Sequence, residues 1–228
     1  MKNSSKSITK NKTKYTTTVG MLSAIAYIFT LVGHFLPIRF YDFLSYDPKD
    51  AIIAIAGFSL GPMASLLISL IVSFLELVTI SSTGLIGFAM NVISSASFSC
   101  IAALIYKCRK SINTAALGLL ISSLITVFLM VLWNYLVTPL YMGVPRAVVA
   151  SMILPVFLPF NTIKCCLNSG LTMLIYKPCV QAMRRVGLIK AADSNTSKSC
   201  CNTKAPIVSI LDFEIAIVTV ILYMVNFC

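Results

Sequence analysis

The sequence has few charged residues, and this scarcity excludes soluble protein classes. Only 11% of its 228 residues are charged, whereas 58% are hydrophobic and the mean hydropathy is +0.91. A soluble domain with so few charges would lack the polar surface that it must present to water. The composition is instead that of a polytopic membrane protein.

The side chains that usually carry catalysis are also scarce. The chain has one histidine, His34, and Glu76 is the one acid in the interior of the predicted membrane spans. Catalysis needs clustered carboxylates, histidines or a nucleophile with a base, and the HExxH, GxSxG and phosphate-loop motifs are absent. We therefore predict no catalytic residues and no enzyme. We expect His34 at the membrane interface, and we expect Glu76 to reach the outer surface by extending its side chain.

Cysteine usage gives no sign of a metal site or of a disulfide framework. None of the eight cysteines forms a CxxC pair, and no histidine lies near the pair at 200–201. Most of the cysteines fall in apolar spans or at predicted cytoplasmic ends, where thiols stay unpaired. We predict no bound metal and no cofactor.

The net charge of +11 is concentrated at the ends of apolar segments. Basic residues cluster within residues 2–14, 107–110, 177–190 and 198–204. A nucleic-acid-binding face would spread them over one surface, whereas clusters next to membrane spans mark cytoplasmic ends. We therefore predict no nucleic-acid partner, and we predict that both termini are cytoplasmic.

Apolar segments of about 20 residues can span a bilayer, and their positions predict an all-α protein with six transmembrane helices. The pair Gly61-Pro62 divides one long apolar stretch, so that the second helix is short. The predicted helices cover residues 16–37, 50–60, 62–79, 86–106, 113–138 and 147–176.

The remaining segments complete the predicted organisation. Residues 1–15 form a basic cytoplasmic tail, residues 16–180 the membrane domain and residues 181–204 a polar cytoplasmic linker. Residues 205–228 are apolar but contain Asp212 and Glu214, which cost roughly 2.5–3.5 kcal/mol each at a helix centre. We predict an interfacial segment there, with an extra helix as the alternative.

The segment Leu158-Pro-Phe-Asn-Thr-Ile-Lys164 carries the strongest functional signal. Asn161 and Lys164 are three residues apart and share one helix face. An ionisable group within a bilayer is costly and points to a functional site. Pro159 weakens the backbone ladder one turn earlier, as is common where transporters bind substrates.

Two further asparagines, Asn91 and Asn134, lie with this pair in the predicted outer half of the membrane. Amide side chains both donate and accept hydrogen bonds, and therefore suit an uncharged ligand with a heterocyclic edge and hydroxyls. The alternative is hydrogen bonding between helices, worth about 0.6–2 kcal/mol per contact.

The first helix carries Gly20 and Ala24 at four-residue spacing. Small residues at this spacing allow a second helix to approach closely. We predict that this face docks a partner membrane protein.

Several segments, in order, resemble the riboflavin-binding S-components of energy-coupling factor (ECF) vitamin transporters. The likeness covers residues 15–180. It is carried by Val19-Gly-Met-Leu-Ser-Ala24, Asp47-Pro-Lys-Asp50, Gly57-Phe-Ser-Leu-Gly-Pro62, Thr83-Gly84 through Gly87 to Asn91, Trp133-Asn-Tyr135 and Leu158-Pro-Phe-Asn-Thr-Ile-Lys164.

The resemblance implies a subunit of the bacterial cell membrane that captures riboflavin from outside and associates with a T-component and two ATP-binding subunits. It also implies that Asn134, Asn161 and Lys164 bind the ligand, aided by Asn91. The covering loop would be formed by Leu44, Ser45, Tyr46 and Asp47. An S-component for another vitamin or precursor, and a non-transport membrane protein whose asparagines only pack helices, are the alternatives.

Overall fold

The chain folds into a helical bundle, described here from a computed structural model for residues 2–35, 39–40, 44–81 and 84–185. The helices are α1 (Lys2–Phe35), α2 (Lys49–Leu60), α3 (Pro62–Thr79), α4 (Gly84–Cys108), α5 (Ile112–Met142), α6 (Arg146–Met152) and α7 (Leu158–Arg185), and a π-helical turn (Ile153–Phe157) joins α6 to α7. A two-residue antiparallel ladder pairs β1 (Arg39–Phe40) with β2 (Leu44–Ser45). The all-α prediction is therefore confirmed, this ladder apart.

Five helical segments in the described part of the chain are long and apolar enough to cross a membrane. They are Thr13–His34, Pro62–Thr79, Gly84–Cys108, Ile112–Pro139 and Arg146–Ala182. The remaining one of the six predicted helices is the second in chain order, α2. It has 12 residues and is short, as expected. α1 begins within the predicted N-terminal tail, at Lys2, and α7 continues beyond the predicted domain end to Arg185. The predicted linker beyond Arg185 and the apolar segment 205–228 lie outside the described residues.

The short helix α2 lies at the centre of the bundle. It contacts α1, α3, α4 and α7, and every residue from Lys49 to Phe58 is buried. A helix that is apolar all round packs in an interior rather than at a surface. One core cluster joins α2 to α1 and α3, and a second joins it to α4, α5 and α7. The first residues of α2 are thereby fixed in the middle of the protein.

Two glycines determine how α2 packs and where it ends. Gly57 allows α2 to approach α4 closely, and Gly61 forms the turn between α2 and α3. A Cβ atom added at Gly57 would lie 2.9 Å from the Cβ of Ala103, so α2 and α4 meet at a position where only glycine fits. Gly61 has φ +100°, a conformation that glycine adopts readily. Pro62 then begins α3, where its missing N–H would have no helical partner.

The sequence predicts an irregular helical backbone near Pro159. The structure has a π-helical turn just before this residue, at Ile153–Phe157. There the N–H of Leu158 donates to the carbonyl of Ile153, five residues back. A proline ring within a helix collides with the carbonyl four residues earlier, which for Pro159 is that of Pro155. The π turn, whose hydrogen bonds span five residues, contains Pro155, and such turns are frequent at functional sites.

Candidate functional site

Five charged side chains meet where the loop after α1 enters α2. We call this set the charged cluster. Its members are Asp47, Lys49, Asp50, Glu76 and Lys164. Lys49 is 0% exposed, Asp50 2% and Glu76 4%, so most of the charge is withdrawn from solvent. Buried charges are stable only when they are paired and hydrogen-bonded, and the contacts below meet that requirement.

Lys49 joins α2 to α3. Its Nζ lies 2.5 Å and 2.7 Å from the two carboxylate oxygens of Glu76 and 3.3 Å from Oδ2 of Asp47. The Thr30 hydroxyl and the Asn91 amide also donate to Glu76, at 3.1 Å and 2.7 Å. Lys49, Thr30 and Asn91 together make four hydrogen-bond contacts to the Glu76 carboxylate, so its buried oxygens are satisfied.

The expectation that Glu76 extends to the outer surface is therefore wrong. The residue is buried because Lys49 compensates its charge within the bundle. The apolar spacing of α3 alone could not reveal that partner, which lies 27 residues earlier in the chain.

Asp50 joins α2 to α4 and α7. It accepts hydrogen bonds from the Ser95 hydroxyl at 2.5 Å and from the Asn168 amide at 3.3 Å. The Nζ of Lys164 lies 3.6 Å from the same Oδ2 that Asn168 contacts. Asp50 is thus the counter-ion of the lysine that the sequence singles out.

Asn168 fastens the loop before α2 to α7. Its Oδ1 accepts from the Tyr46 hydroxyl at 2.9 Å, and its amide donates to the backbone carbonyl of Asp47 at 3.2 Å and to Asp50. The side chain is 1% exposed. Asn168 was not predicted as a site residue, although it follows Lys164 by four positions and so shares its helix face.

Two residues of the loop before α2, Tyr46 and Asp47, have shifted pKa values. Burial, followed by the charges of Asp50 and Asp47, raises the pKa of Tyr46 to about 12, so its hydroxyl remains a donor to Asn168. Burial alone would raise the pKa of Asp47. The positive charges of Lys49 and Lys164 outweigh burial and lower that pKa below its ordinary value.

Three of the predicted ligand-binding residues belong to the charged cluster or contact it, and a fourth reaches it through Asn168. Lys164 and Asp47 are members, Tyr46 reaches it through Asn168, and Asn91 donates to Glu76. Asn91 is thereby engaged in holding a buried carboxylate.

The other predicted ligand-binding residues are Asn134, Asn161, Leu44 and Ser45, and none of the contacts described for them involves the charged cluster. The Asn134 amide donates to the carbonyl of Met130 and its Oδ1 accepts from Thr138, all within α5. The Asn161 amide donates to the carbonyl of Phe157, the last residue of the π turn. Both asparagines are buried on adjacent elements, since α5 packs against the π turn and α7. Leu44 and Ser45 form β2, and their side chains lie outside the described part of the structure.

The small-residue face of α1 is exposed in the isolated chain. Gly20 and Ala24 are exposed, and a Cβ atom added at Gly20 would meet nothing within 4 Å. Met21 and Ile28 are exposed beside them, at 45% and 55%. α1 therefore presents an apolar face with a shallow central region, where another helix could approach closely.

A match to a protein-family model identifies the kind of membrane protein. Residues 14–176 match the substrate-specific component of ECF transporters. The chain belongs to this family. As an ECF S-component it is a transport subunit and not an enzyme, and its apolar helices make it a multi-pass protein of the bacterial membrane.

Two individual proteins are similar to this S-component over most of their length. The riboflavin transporter RibU of Staphylococcus aureus (strain TCH60) is 29% identical over 191 residues, which span 81% of this chain and 100% of that protein. A solved structure of the S component of a bacterial ECF transporter matches with a TM-score of 0.65 and 28% identity. That match covers 76% of this chain and 99% of the solved one.

Proposed function

We propose that this S-component is the riboflavin-binding subunit of an ECF-type uptake transporter, with high affinity for the vitamin. The observation that carries the proposal is the full-length likeness to a riboflavin transporter, 29% identical across 100% of that protein. The buried polar groups on α7, beside an irregular helical turn, support a site for a hydrogen-bonding ligand.

Asn134, Asn161 and Lys164 would bind the polar edge of the flavin. Asn134 and Asn161 each carry an amide with two donors and a carbonyl acceptor, and Lys164 adds further donors. The hydrogen bonds that their amides make to carbonyls in their own helices could be exchanged for bonds to the ligand at little net cost. Asn91 would act indirectly, by holding Glu76 in place.

Residues 44–47 would cover the bound ligand on the outer side. Support comes from Asn168, which fastens this segment to α7 through Tyr46 and Asp47. The ion pair of Asp47 with Lys49 holds the same segment. A loop held by such polar contacts can open and close without disturbing the apolar core below it.

Energy for transport would come from partner subunits. The sequence carries no nucleotide-binding motif, and the family name denotes only the substrate-specific part of the transporter. We propose that the exposed Gly20/Ala24 face docks the transmembrane T-component, which would in turn bind two ATP-binding subunits.

Uptake of isotopically labelled riboflavin by a bacterial host lacking its own riboflavin uptake would test the whole proposal. Expression of this chain together with the T-component and ATP-binding subunits should give saturable uptake. Omission of this chain, or an inactive ATP-binding subunit, should abolish it. Uptake of a different labelled vitamin, with none of riboflavin, would contradict the substrate assignment while leaving the transport class intact.

A further inference from the structure

The loop before α2 packs against α1 at a position where α1 has no side chain. Gly33 is buried near the end of α1 and does not have a positive φ, so its backbone conformation does not require glycine. A Cβ atom added at Gly33 would lie 2.8 Å from the backbone carbonyl oxygen of Tyr46 and 2.8 Å from Cδ of Pro48. Glycine is less favourable than alanine within a helix, so this close contact is the physical reason for a glycine here.

Residues 46–48, which we call the strap, connect α1 to α7. The carbonyl of Tyr46 lies against Gly33 on α1, while its hydroxyl donates to Oδ1 of Asn168 on α7 at 2.9 Å. The Asn168 amide donates to the backbone carbonyl of Asp47 at 3.2 Å. Helix α1 packs against α2 and α3, and α7 packs against α2 and α5. The strap therefore joins two helices that lie on different sides of α2, and it does so beside the charged cluster.

We infer that Gly33 is a positioning residue, which holds the strap in its closed position over the ligand and thereby slows ligand release. The inference rests on the proposed function, in which residues 44–47 cover the ligand, and deepens it. A methyl group at position 33 would push the Tyr46 carbonyl and the Pro48 ring away from α1, because neither can rotate aside as the end of a long side chain can. That shift would weaken the hydrogen bonds between the strap and Asn168.

The rate of riboflavin release from Gly33→Ala tests the inference. Stopped-flow flavin fluorescence on the detergent-purified full chain gives the association and the dissociation rate constants separately. We expect Gly33→Ala to raise the dissociation rate constant at least about tenfold and to change the association rate constant by less than about threefold, because the strap opens more readily over an otherwise unchanged site. A partial loss of folded protein would lower the amplitude of the signal and leave both rate constants unaltered.

Val32→Ile is the matched control, because it adds one carbon atom to the neighbouring residue of α1, which is 50% exposed. It should leave both rate constants unaltered. Pro48→Ala tests the same contact from the strap and adds no bulk to α1, so it decides the matter if Gly33→Ala does not fold. It removes the Cδ atom that lies against Gly33 and should raise the dissociation rate constant by about threefold or more.

Hydrogen exchange of the ligand-free protein tests the position of the strap without reference to the ligand. Backbone amides of the strap should exchange faster in Gly33→Ala than in the wild type and in Val32→Ile, because a segment with weakened contacts opens more often. The amides of α5 should exchange equally in all three proteins.

The outcomes distinguish the inference from the function on which it rests. A dissociation rate constant that stays constant in Gly33→Ala, or that rises equally in Val32→Ile, would overturn the role of Gly33 alone. Unchanged exchange in the strap would do the same. Failure of the wild-type protein to bind riboflavin would overturn the proposed function and the effect on release, while the exchange measurement would still decide whether Gly33 positions the strap.

Discussion

At the residue scale, the buried ion pair of Lys49 and Glu76 joins α2 to α3. Removing one partner of a buried pair leaves the other charge unpaired, whereas replacing both avoids that penalty. We expect Lys49→Met to lower the free energy of unfolding by roughly 3–5 kcal/mol. We expect the double variant Lys49→Met/Glu76→Leu to be more stable than that single variant. Denaturant titration in mixed micelles would measure both.

Lys107→Met is the matched control, because Lys107 is exposed at the end of α4. An exposed lysine should change the stability by no more than about 0.5 kcal/mol. If the double variant were as unstable as Lys49→Met, burial of an unpaired charge would not be the cause.

Ligand affinity should depend on the polar residues of α7. We expect Asn161→Ala and Lys164→Ala each to weaken riboflavin binding by more than about 1 kcal/mol, the scale of one lost polar contact. Fluorescence-quenching titration would measure the change. Asn113→Ala and Lys107→Ala remove the same side chains from exposed positions and should leave the affinity unaltered. Equal affinities for all four variants would remove Asn161 and Lys164 from the site.

The sequence indicated some residues of this site, but it did not indicate the ion pairs and hydrogen bonds between them. Asn161 and Lys164 were recognisable because a lysine and an asparagine on one face stand out within an apolar span. Asn168 extends the same face and could have been found by following the helical period one turn further. The pairing of Lys49 with Glu76 could not have been found, because it depends on how α2 packs against α3.

At the element scale, the exposed face of α1 is the feature with the clearest functional consequence. We expect Gly20→Leu to prevent co-purification with the T-component, because a bulky side chain would keep the partner helix at a distance. Riboflavin binding by the isolated chain should be unaffected, because a Cβ atom added at Gly20 would meet nothing within 4 Å. Affinity capture followed by quantitative mass spectrometry would measure the co-purified partner.

Ala150→Leu serves as the control for added bulk, since Ala150 is exposed on α6. It should leave the complex intact. Loss of the partner in both variants, or in neither, would count against the Gly20/Ala24 face as the docking surface.

Helix boundaries followed from the sequence more closely than local geometry did. Apolar length and the Gly61-Pro62 turn predicted α2 and α3 almost to the residue, since a glycine and a proline in that order end one helix and begin the next. The π turn at Ile153–Phe157 was not foreseen as such. Proline marks a disturbance of the helix, but it does not specify the form which that disturbance takes.

At the scale of the whole molecule, the distribution of basic residues predicts the orientation in the membrane. Cys108 is exposed beside the basic run at 107–110, and Pro145 is exposed in the connection between α5 and α6. In a background without other cysteines, we expect a membrane-impermeant thiol reagent to label Pro145→Cys in intact cells. Cys108 should be labelled only after the cells are permeabilised, because basic ends stay in the cytoplasm. The reverse pattern would invert the proposed topology.

A titration of the detergent-purified chain with riboflavin, followed by flavin fluorescence and visible absorbance, would show whether riboflavin is the ligand. The proposed function predicts saturable quenching with one flavin per chain and tight binding in the absence of any partner subunit. No saturable quenching, with the protein folded and helical by circular dichroism, would contradict riboflavin as the ligand.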